Sequence, residues 1–121
     1  GIIEAVCTGK EMTFNGNLIN TGLIPNLPEG CCVEVPCLTN RLGIHPVHVG
    51  PLPPQLAALN RTNIHVQELT VEAVKQRSLE PAYHALLLDP ISQANLDLDS
   101  ARALFEEMVA AEGGLLAWYR R

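Results

Sequence analysis

Hydrophobic and polar positions alternate through the first half of this chain and follow a helical period through the second half. The most regular alternation runs from Cys31 to Leu38, where Val33, Val35 and Cys37 share one face of an extended segment. Such alternation predicts a half-buried β-strand. Pro36 lacks the N–H group that a ladder hydrogen bond requires, so we expect this strand to lie at a sheet edge or to end there.

Two further extended segments flank this strand. Met12–Asn20 has the composition of a strand, and Gly16 in its middle predicts a bulge or a kink. Ile44–Val49 follows the turn sequence Asn40-Arg41-Leu42-Gly43. This order predicts an antiparallel hairpin with Cys31–Leu38.

Helical signals lie on both sides of the extended segments. Gly1–Cys7 has the pattern of the last turns of a helix that stops at Gly9. A long helix is expected from Pro53 or Pro54 to about Arg77, because proline is tolerated in a first helical turn. The predicted apolar stripe of this helix has heptad-like spacing. It consists of Leu56, Leu59, Asn63, Val66, Thr70 and Val74.

Two shorter helices complete the pattern. Glu80–Leu88 is one of them, and Ser100–Ala111 is the other, with Asp99 as its expected N-cap and Gly113-Gly114 as its end. Strands come first and helices follow. This order predicts an α+β fold, with antiparallel strands followed by helices, rather than an alternating βαβ fold.

Composition narrows the functional classes. At 121 residues the chain is expected to form one domain, residues 1–121. The net charge of −5 and the absence of a basic cluster argue against a nucleic-acid partner. No segment approaches the roughly 20 apolar residues of a membrane helix. Four cysteines without a secretory leader predict reduced thiols and a cytoplasmic location.

A zinc site is the sharpest local hypothesis, with Cys31, Cys32, Cys37, His45 and His48 as its candidate ligands. Strand geometry argues against it. Cys31 and Cys32 are neighbours and point to opposite faces, and Cys31 and Cys37 lie about 20 Å apart at ~3.3 Å per residue. Zinc requires four ligands around one point. We therefore expect buried small cysteines and ordinary strand histidines, and no metal ligand in this chain.

Other chemistry-bearing residues have equally plain explanations. Glu34 lies inside an apolar strand, where either a buried acid with a shifted pKa or a solvent-facing strand position fits, and the second is favoured. His65 and His84 fit solvated helix faces, and Glu68 with Glu72 fits a surface charge row. No nucleophile elbow, dinucleotide loop or phosphate loop is present. The chain contains no complete catalytic constellation.

Three amides stand out because apolar residues flank them: Asn20, Asn26 and Asn63. Asn63 also falls on the predicted apolar stripe of the long helix. A buried amide has to find hydrogen-bond partners in a ligand, in the backbone or across a subunit interface. We predict these three residues to be substrate-binding or interface residues.

The sequence resembles the C-terminal part of glycoside hydrolase family 4, and the resemblance is greatest to the α-galactosidase (melibiase) and α-glucosidase branch. The resemblance covers nearly the whole chain, from about Ile2 to Ala111. It is carried by the segments N-T-G-L-I-P-N-L-P-E-G-C-C-V-E-V-P-C-L, G-I-H-P-V-H-V-G-P-L-P-P-Q-L-A-A-L, T-N-I-H-V-Q-E-L-T-V-E-A and Y-H-A-L-L-L-D-P. The ending Trp118-Tyr119-Arg120 also resembles that branch.

The resemblance implies a two-part enzyme similar to lactate and malate dehydrogenases. It implies an N-terminal Rossmann half that binds NAD, a divalent metal that is usually manganese, and a homo-oligomer. The implied reaction on an α-glycoside is oxidation at C3, loss of the C2 proton to a tyrosine, elimination of the glycosidic oxygen, and reversal with water. This family is an exception to the two-carboxylate scheme of most glycosidases.

The chain departs from the family pattern in what it lacks. The dinucleotide loop, the metal-binding cysteine and histidine and the catalytic tyrosine lie upstream of the matched region. Tyr83 and Tyr119 do not match that tyrosine, so no catalytic residue is transferred. We therefore expect a C-terminal fragment that is inactive by itself. Two alternatives remain open, namely a stand-alone binding or assembly module with the same fold, and a small metal-binding regulator.

Overall fold

The computed structural model describes residues 1–120, and its elements fall into two compact units. The first unit, Gly1–Ala57, contains the sheet. The second begins at Ala58 and is helical. The expected α+β fold, with antiparallel strands followed by helices, is confirmed. The assignment of residues 1–121 to one domain stays a prediction, because two compact units can belong to one domain.

The first unit is a three-stranded antiparallel sheet with a short helix. Helix α1 covers Ile2–Thr8 and ends, as expected, at Gly9, whose φ of 82° is left-handed. The strands are β1 (Met12–Ile19), β2 (Cys32–Asn40) and β3 (Gly43–Pro46), in the sheet order β1-β2-β3. The third strand is shorter than the predicted Ile44–Val49.

The core of the first unit is built on one face of β2. Val33, Val35, Cys37 and Thr39 are buried on this face, while Cys32, Glu34 and Pro36 are exposed on the other. Helix α1 packs against β2 and is buried at Ala5. The predicted alternation of this strand is therefore confirmed.

The expected position of Pro36 was wrong. Strand β2 is central, pairs with both neighbours and continues beyond Pro36 to Asn40. The Pro36 carbonyl accepts a hydrogen bond from the Val47 amide at 2.9 Å. Since N–H and C=O of one residue point to the same side of a strand, the missing N–H of Pro36 faces β3. The last pair between β2 and β3 is Cys37↔Pro46, so Pro36 lies one position beyond the end of β3. No hydrogen bond within the β2–β3 ladder is therefore lost.

The bulge expected at Gly16 was also wrong. The register between β1 and β2 is unbroken from Met12↔Thr39 to Ile19↔Cys32, with Gly16 directly opposite Val35. A Cβ atom at Gly16 would lie 3.1 Å from both the Cys37 Sγ and the Phe14 ring. Glycine at this position allows Cys37 and Phe14 to pack closely against the backbone, and the register does not change.

The second unit holds most of α2 and three further helices. Helix α2 covers Pro54–Gln76, α3 covers Leu79–Leu88, α4 covers Pro90–Asn95 and α5 covers Leu98–Glu112, followed by a 3₁₀ turn at Gly113–Leu116. Helix α4 was not predicted. It begins directly after the predicted helix Glu80–Leu88, because Asp89 caps its N-terminus and Pro90 occupies its first position. Within residues 1–120, no helix has the length and apolar character needed to cross a membrane.

The predicted apolar stripe of α2 was wrong. The residues of α2 that are buried are Ala57, Ile64 and Ala73, and none of them belongs to the stripe. Leu59 and Val74, which belong to it, are 66% and 59% exposed. The cause is that small and β-branched residues at other positions fill the available space, which a pattern of large apolar residues does not reveal.

The N-cap of α5 is Asp97, and the expected cap Asp99 lies inside the helix. The Asp97 carboxylate accepts a hydrogen bond from the Ser100 backbone N–H at 2.7 Å. This bond, and a second one from the Ser100 side chain, lower the pKa of Asp97 below its ordinary value of 3.8. The cap therefore stabilises the folded chain above the unfolded pKa, and this contribution is lost as the pH falls through the lower folded pKa.

We expect the melting temperature of the Asp97→Asn variant to fall less than that of the wild type between pH 7 and pH 3. The asparagine amide still caps the helix, but it does not titrate. Asp99→Asn, two residues away in the same helix, is the matched control. Thermal unfolding followed by circular dichroism checks this. Identical pH profiles for Asp97→Asn and the wild type would contradict the role of Asp97.

The end of the described chain is tied to the corner between α2 and α3. The Arg120 amide donates to the Arg77 carbonyl at 2.7 Å, and the Leu79 amide donates to the Arg120 carbonyl at 2.8 Å. The Arg120 guanidinium also donates to the carbonyl of Gln76, the last residue of α2. Arg77 itself has a left-handed φ of 50°, an uncommon conformation for a residue other than glycine.

Candidate functional site

The loop between β1 and β2 is organised around the buried side chain of Asn20, which is 1% exposed. Its two amide N–H groups donate to three backbone carbonyls, those of Ile24 (3.0 Å), Leu27 (3.3 Å) and Pro28 (3.1 Å), so one N–H is shared between two of them. Its oxygen accepts from the Ile24 amide at 3.1 Å. Asn20 therefore replaces the backbone partners that this irregular segment lacks.

Asn26 joins the same loop to the segment before α2. Its side-chain nitrogen donates to the Leu52 carbonyl at 2.7 Å, and its oxygen accepts from the Leu52 amide at 2.9 Å. The amides of Val49 and Gly50 both donate to the Leu23 carbonyl nearby. The loop and the segment from Val49 to Leu52 thus form one ordered surface of the first unit.

Asn63 differs from the other two amides. It is exposed on α2 in the second unit. Asn20 and Asn26 are brought together in one loop of the first unit, and Asn63 belongs to the other unit. The prediction that the three residues bind substrate or form an interface stays a prediction, and the hydrogen bonds of Asn20 and Asn26 assign both of them a structural role as well.

The candidate metal ligands are dispersed. Cys31 and Cys37 are buried, whereas Cys32, His45 and His48 are exposed. Across residues 1–120, no group of three or more histidine, cysteine, aspartate or glutamate side chains lies close enough together to hold a metal ion. The residues described here do not fit a manganese ion, so we derive no chemical step through one.

The remaining titratable candidates of the sequence lie on the surface. Glu34, His65, His84 and Glu68 are exposed, and Glu72 accepts a hydrogen bond from the Gln76 side chain at 2.6 Å. The solvent-facing explanation of Glu34 is the one that the structure shows.

A groove of about 470 Å³ between α3 and α5 was missed at the sequence level. Tyr83 and Phe105 form its aromatic wall, with ring centroids 5.3 Å apart, and the Arg102 guanidinium lies 5.3 Å from the centre of the Tyr83 ring. His84 and Glu106 also line it. The aromatic residues at 83 and 105 were the available signal, but their proximity depends on how α3 and α5 pack.

Comparison with known proteins decides the family. Residues 1–92 match the model of the family 4 glycosyl hydrolase C-terminal domain. The chain belongs to glycosyl hydrolase family 4. The family 4 resemblance of the sequence is therefore confirmed.

Two curated relatives of this family 4 chain are α-galactosidases. It is 46% identical over 119 residues to the α-galactosidase of Bacillus subtilis (strain 168), covering 98% of this chain and 28% of that protein. It is 31% identical over 118 residues to the α-galactosidase of Rhizobium meliloti (strain 1021), covering 98% of this chain and 24% of that protein. The family 4 chain thus spans about a quarter of the length of these relatives.

Solved structures show the same fold. A 6-phospho-α-glucosidase from gut microorganisms, in complex with NAD and glucose-6-phosphate, aligns with a TM-score of 0.78 and 25% identity over 99% of this chain and 26% of that one. A 6-phospho-β-glucosidase from Thermotoga maritima, with manganese, NAD+ and glucose-6-phosphate, aligns with a TM-score of 0.77 and 28% identity over 92% of this chain and 26% of that one. Both are longer chains, and both structures are complexes with NAD.

Proposed function

We propose that this chain is the C-terminal part, residues 1–121, of an NAD- and divalent-metal-dependent α-glycosidase. The observation that carries the proposal is the 46% identity to an α-galactosidase along 98% of the chain. That relative favours an α-galactoside as the substrate, with an α-glucoside second. The oxidation–elimination chemistry that the family implies belongs to the longer enzyme.

The proposed contribution of this chain is structural. It contains no group of metal-binding side chains within residues 1–120, and it shows no dinucleotide loop. NAD, manganese and the catalytic residues would therefore come from an N-terminal Rossmann half. The chain would supply scaffold, part of the sugar-pocket wall and the contacts of a homo-oligomer. The ordered loop held by Asn20 and Asn26 is our candidate for the pocket wall.

The cysteines support a cytoplasmic enzyme. Cys7, Cys32 and Cys37 are free thiols. Cys7 and Cys32 are exposed, and exposed free thiols persist best in a reducing compartment. We propose the cytoplasm as the location on this basis.

A chimera tests the proposal. The region of the Bacillus subtilis α-galactosidase that aligns with this chain is replaced by residues 1–121, and hydrolysis of nitrophenyl α-galactoside and α-glucoside is measured with NAD and manganese. We expect the chimera to hydrolyse the galactoside faster, and this chain alone to hydrolyse neither substrate. The intact Bacillus enzyme is the matched control.

Two results would overturn the proposal. Turnover by residues 1–121 alone would show that the chain is not an inactive part. A chimera that folds and binds NAD but hydrolyses neither glycoside would remove the α-glycosidase assignment. Binding of NAD to the chimera, measured by fluorescence, separates this second outcome from simple misfolding.

A further inference from the structure

A short segment after α5 returns to the corner between α2 and α3. It consists of the 3₁₀ turn Gly113–Leu116 and the four residues that follow this turn in the described chain. The Tyr119 amide donates to the Leu116 carbonyl at 3.0 Å, so the segment continues to turn after the 3₁₀ helix ends. We call residues 113–120 the strap.

The strap has an inner and an outer side. Leu116 and Tyr119 are three residues apart, so they lie on the same side of a turn of the 3₁₀ type. Both are half-buried, whereas Leu115 and Trp118 are 75% and 76% exposed. The strap therefore packs Leu116 and Tyr119 against the helices and leaves the residues before each of them exposed.

The inner side of the strap lines a second groove, of about 470 Å³, between α2, α3 and α5. Leu116 and Tyr119 form one wall of this groove, and the helices supply the others, mainly with apolar side chains. The helical wall includes Ala73 of α2, Ala82, Ala85 and Leu86 of α3, and Val109 of α5. All of these residues belong to the second unit. Because the groove is apolar, the packed strap removes apolar surface from water, which favours the closed position.

Arg120 attaches the strap to the ends of two helices at once. The last carbonyls of a helix and its first N–H groups have no partner within that helix. The Arg120 guanidinium donates to the carbonyl of Gln76, the last residue of α2, at 3.3 Å. The Arg120 carbonyl accepts from the amide of Leu79, the first residue of α3, at 2.8 Å, and the Arg120 amide donates to the Arg77 carbonyl between them. One residue thus supplies hydrogen-bond partners to both helix ends.

The other end of the strap has the features of a hinge. Gly113 has a φ of 53° and a ψ of −120°, and glycine adopts such a positive φ more readily than other residues. Apart from chain neighbours and the backbone of their own helix, no atom lies within 4 Å of a Cβ position at Gly113 or Gly114. The three hydrogen bonds described between the strap and the α2–α3 corner in residues 1–120 all involve Arg120. Without them, the packing of Leu116 and Tyr119 is what keeps the strap on the groove.

We propose that the strap is a lid over the groove between α2, α3 and α5, hinged at Gly113-Gly114 and closed by the main-chain hydrogen bonds of Arg120. Closure covers the apolar groove and caps both helix ends at the corner. Opening uncovers the groove and leaves the Leu79 amide without its partner, while the helices themselves stay folded. The inference concerns the helical unit of this chain and does not depend on the glycosidase assignment.

Replacement of Arg120 by proline tests the closure, because proline has no N–H group to donate to the Arg77 carbonyl. In hydrogen exchange on residues 1–121, we expect the Leu79 amide of Arg120→Pro to exchange at least about tenfold faster than in the wild type. The Asp89 amide, which donates to the Ala85 carbonyl at the other end of α3, should change less than about twofold. Arg120→Ala is the matched control, since it keeps the backbone groups and should leave the Leu79 amide within about threefold of the wild type.

Three exchange results would overturn the proposal. An unchanged Leu79 amide in Arg120→Pro would show that Arg120 does not close a lid. Equal acceleration of the Leu79 and Asp89 amides would show that α3 unfolds as a whole. Equal acceleration of the Leu79 amide in Arg120→Pro and Arg120→Ala would show that the main-chain hydrogen bonds of Arg120 are not what closes the strap.

Fluorescence follows the groove and the strap separately. The dye anilinonaphthalene sulfonate binds exposed apolar surface, and its fluorescence should rise at least about threefold with Arg120→Pro and stay at the wild-type level with Arg120→Ala. Unchanged dye fluorescence in Arg120→Pro would show that the strap does not cover the groove.

Trp118 is the single tryptophan of the chain and lies on the strap, so its anisotropy decay reports on strap motion alone. We expect Trp118 to rotate with the whole chain in the wild type and to gain a fast nanosecond component in Arg120→Pro. Circular dichroism checks that each variant keeps its helices. Free nanosecond motion of Trp118 in the wild type would overturn the closed lid without any variant.

Discussion

Replacement of Asn20 by alanine is expected to lower the free energy of unfolding by about 3 kcal/mol. A buried polar group that is left unpaired costs ~1–3 kcal/mol, and several backbone groups lose a hydrogen-bond partner in this variant. The Asn20 side chain makes four hydrogen bonds to the backbone of its own loop. Alanine leaves the Ile24 amide and three carbonyls without these partners. The loop between β1 and β2 should open, and the strands should be weakened at that end.

Urea unfolding followed by circular dichroism measures this loss, and hydrogen exchange of the Gly30 amide locates it, because that amide donates to the Asn20 carbonyl. Asn17→Ala is the matched control. Asn17 lies exposed on β1, the strand that precedes Asn20, so its replacement should change stability by less than about 0.5 kcal/mol. Equal stability of the two variants would contradict the structural role of Asn20.

Gly16→Ala is expected to destabilise the chain by about 1–3 kcal/mol, the usual effect of an added methyl group in a packed core. The new Cβ would lie 3.1 Å from the Sγ of Cys37, and Cys37 is only 1% exposed. The sulfur atom therefore has little room to move. Strain should spread into β2, which holds the core of the first unit.

Removal of the obstructing sulfur tests this explanation. Cys37→Ala in the Gly16→Ala background should cost less than the sum of the two single changes, because the second change relieves the first. Gly114→Ala is the control, since apart from its chain neighbours and its own helix backbone no atom lies within 4 Å of its Cβ position. Urea unfolding of the four variants measures the coupling. Strict additivity would show that Cys37 does not limit the space at Gly16.

The sequence predicted elements better than it predicted their surroundings. The alternation of Val33, Val35 and Cys37 specified both a strand and its buried face. Pro36 led to a wrong prediction, because a missing N–H shows only that one side of the strand lacks a ladder hydrogen bond at that residue. That side of Pro36 faces the end of β3. Gly16 misled in a similar way. Glycine fits a bulge and a close contact equally well, and only the register distinguishes the two.

The sequence predicted the family of the protein but not the geometry of the candidate site. Four segments between Asn20 and Pro90 carried the family resemblance, which the comparison confirmed. The hydrogen bonds of Asn20 could not be predicted, because they depend on the path of the loop back to Leu27 and Pro28. The face of α2 was predicted wrongly for a related reason. Small residues at Ala57 and Ala73 are buried, and small residues contribute little to an apolar pattern.

The hydrogen bonds of Arg120 have a consequence for the order in which the protein folds. The chain runs from Arg77 through α3, α4 and α5 to Arg120, and the hydrogen bond from the Arg120 amide to the Arg77 carbonyl closes it into a ring. A ribosome delivers residues in sequence, so this ring cannot close until all three helices and Arg120 have left the exit tunnel. The first unit, complete at Ala57, can form during synthesis, and the second unit must wait.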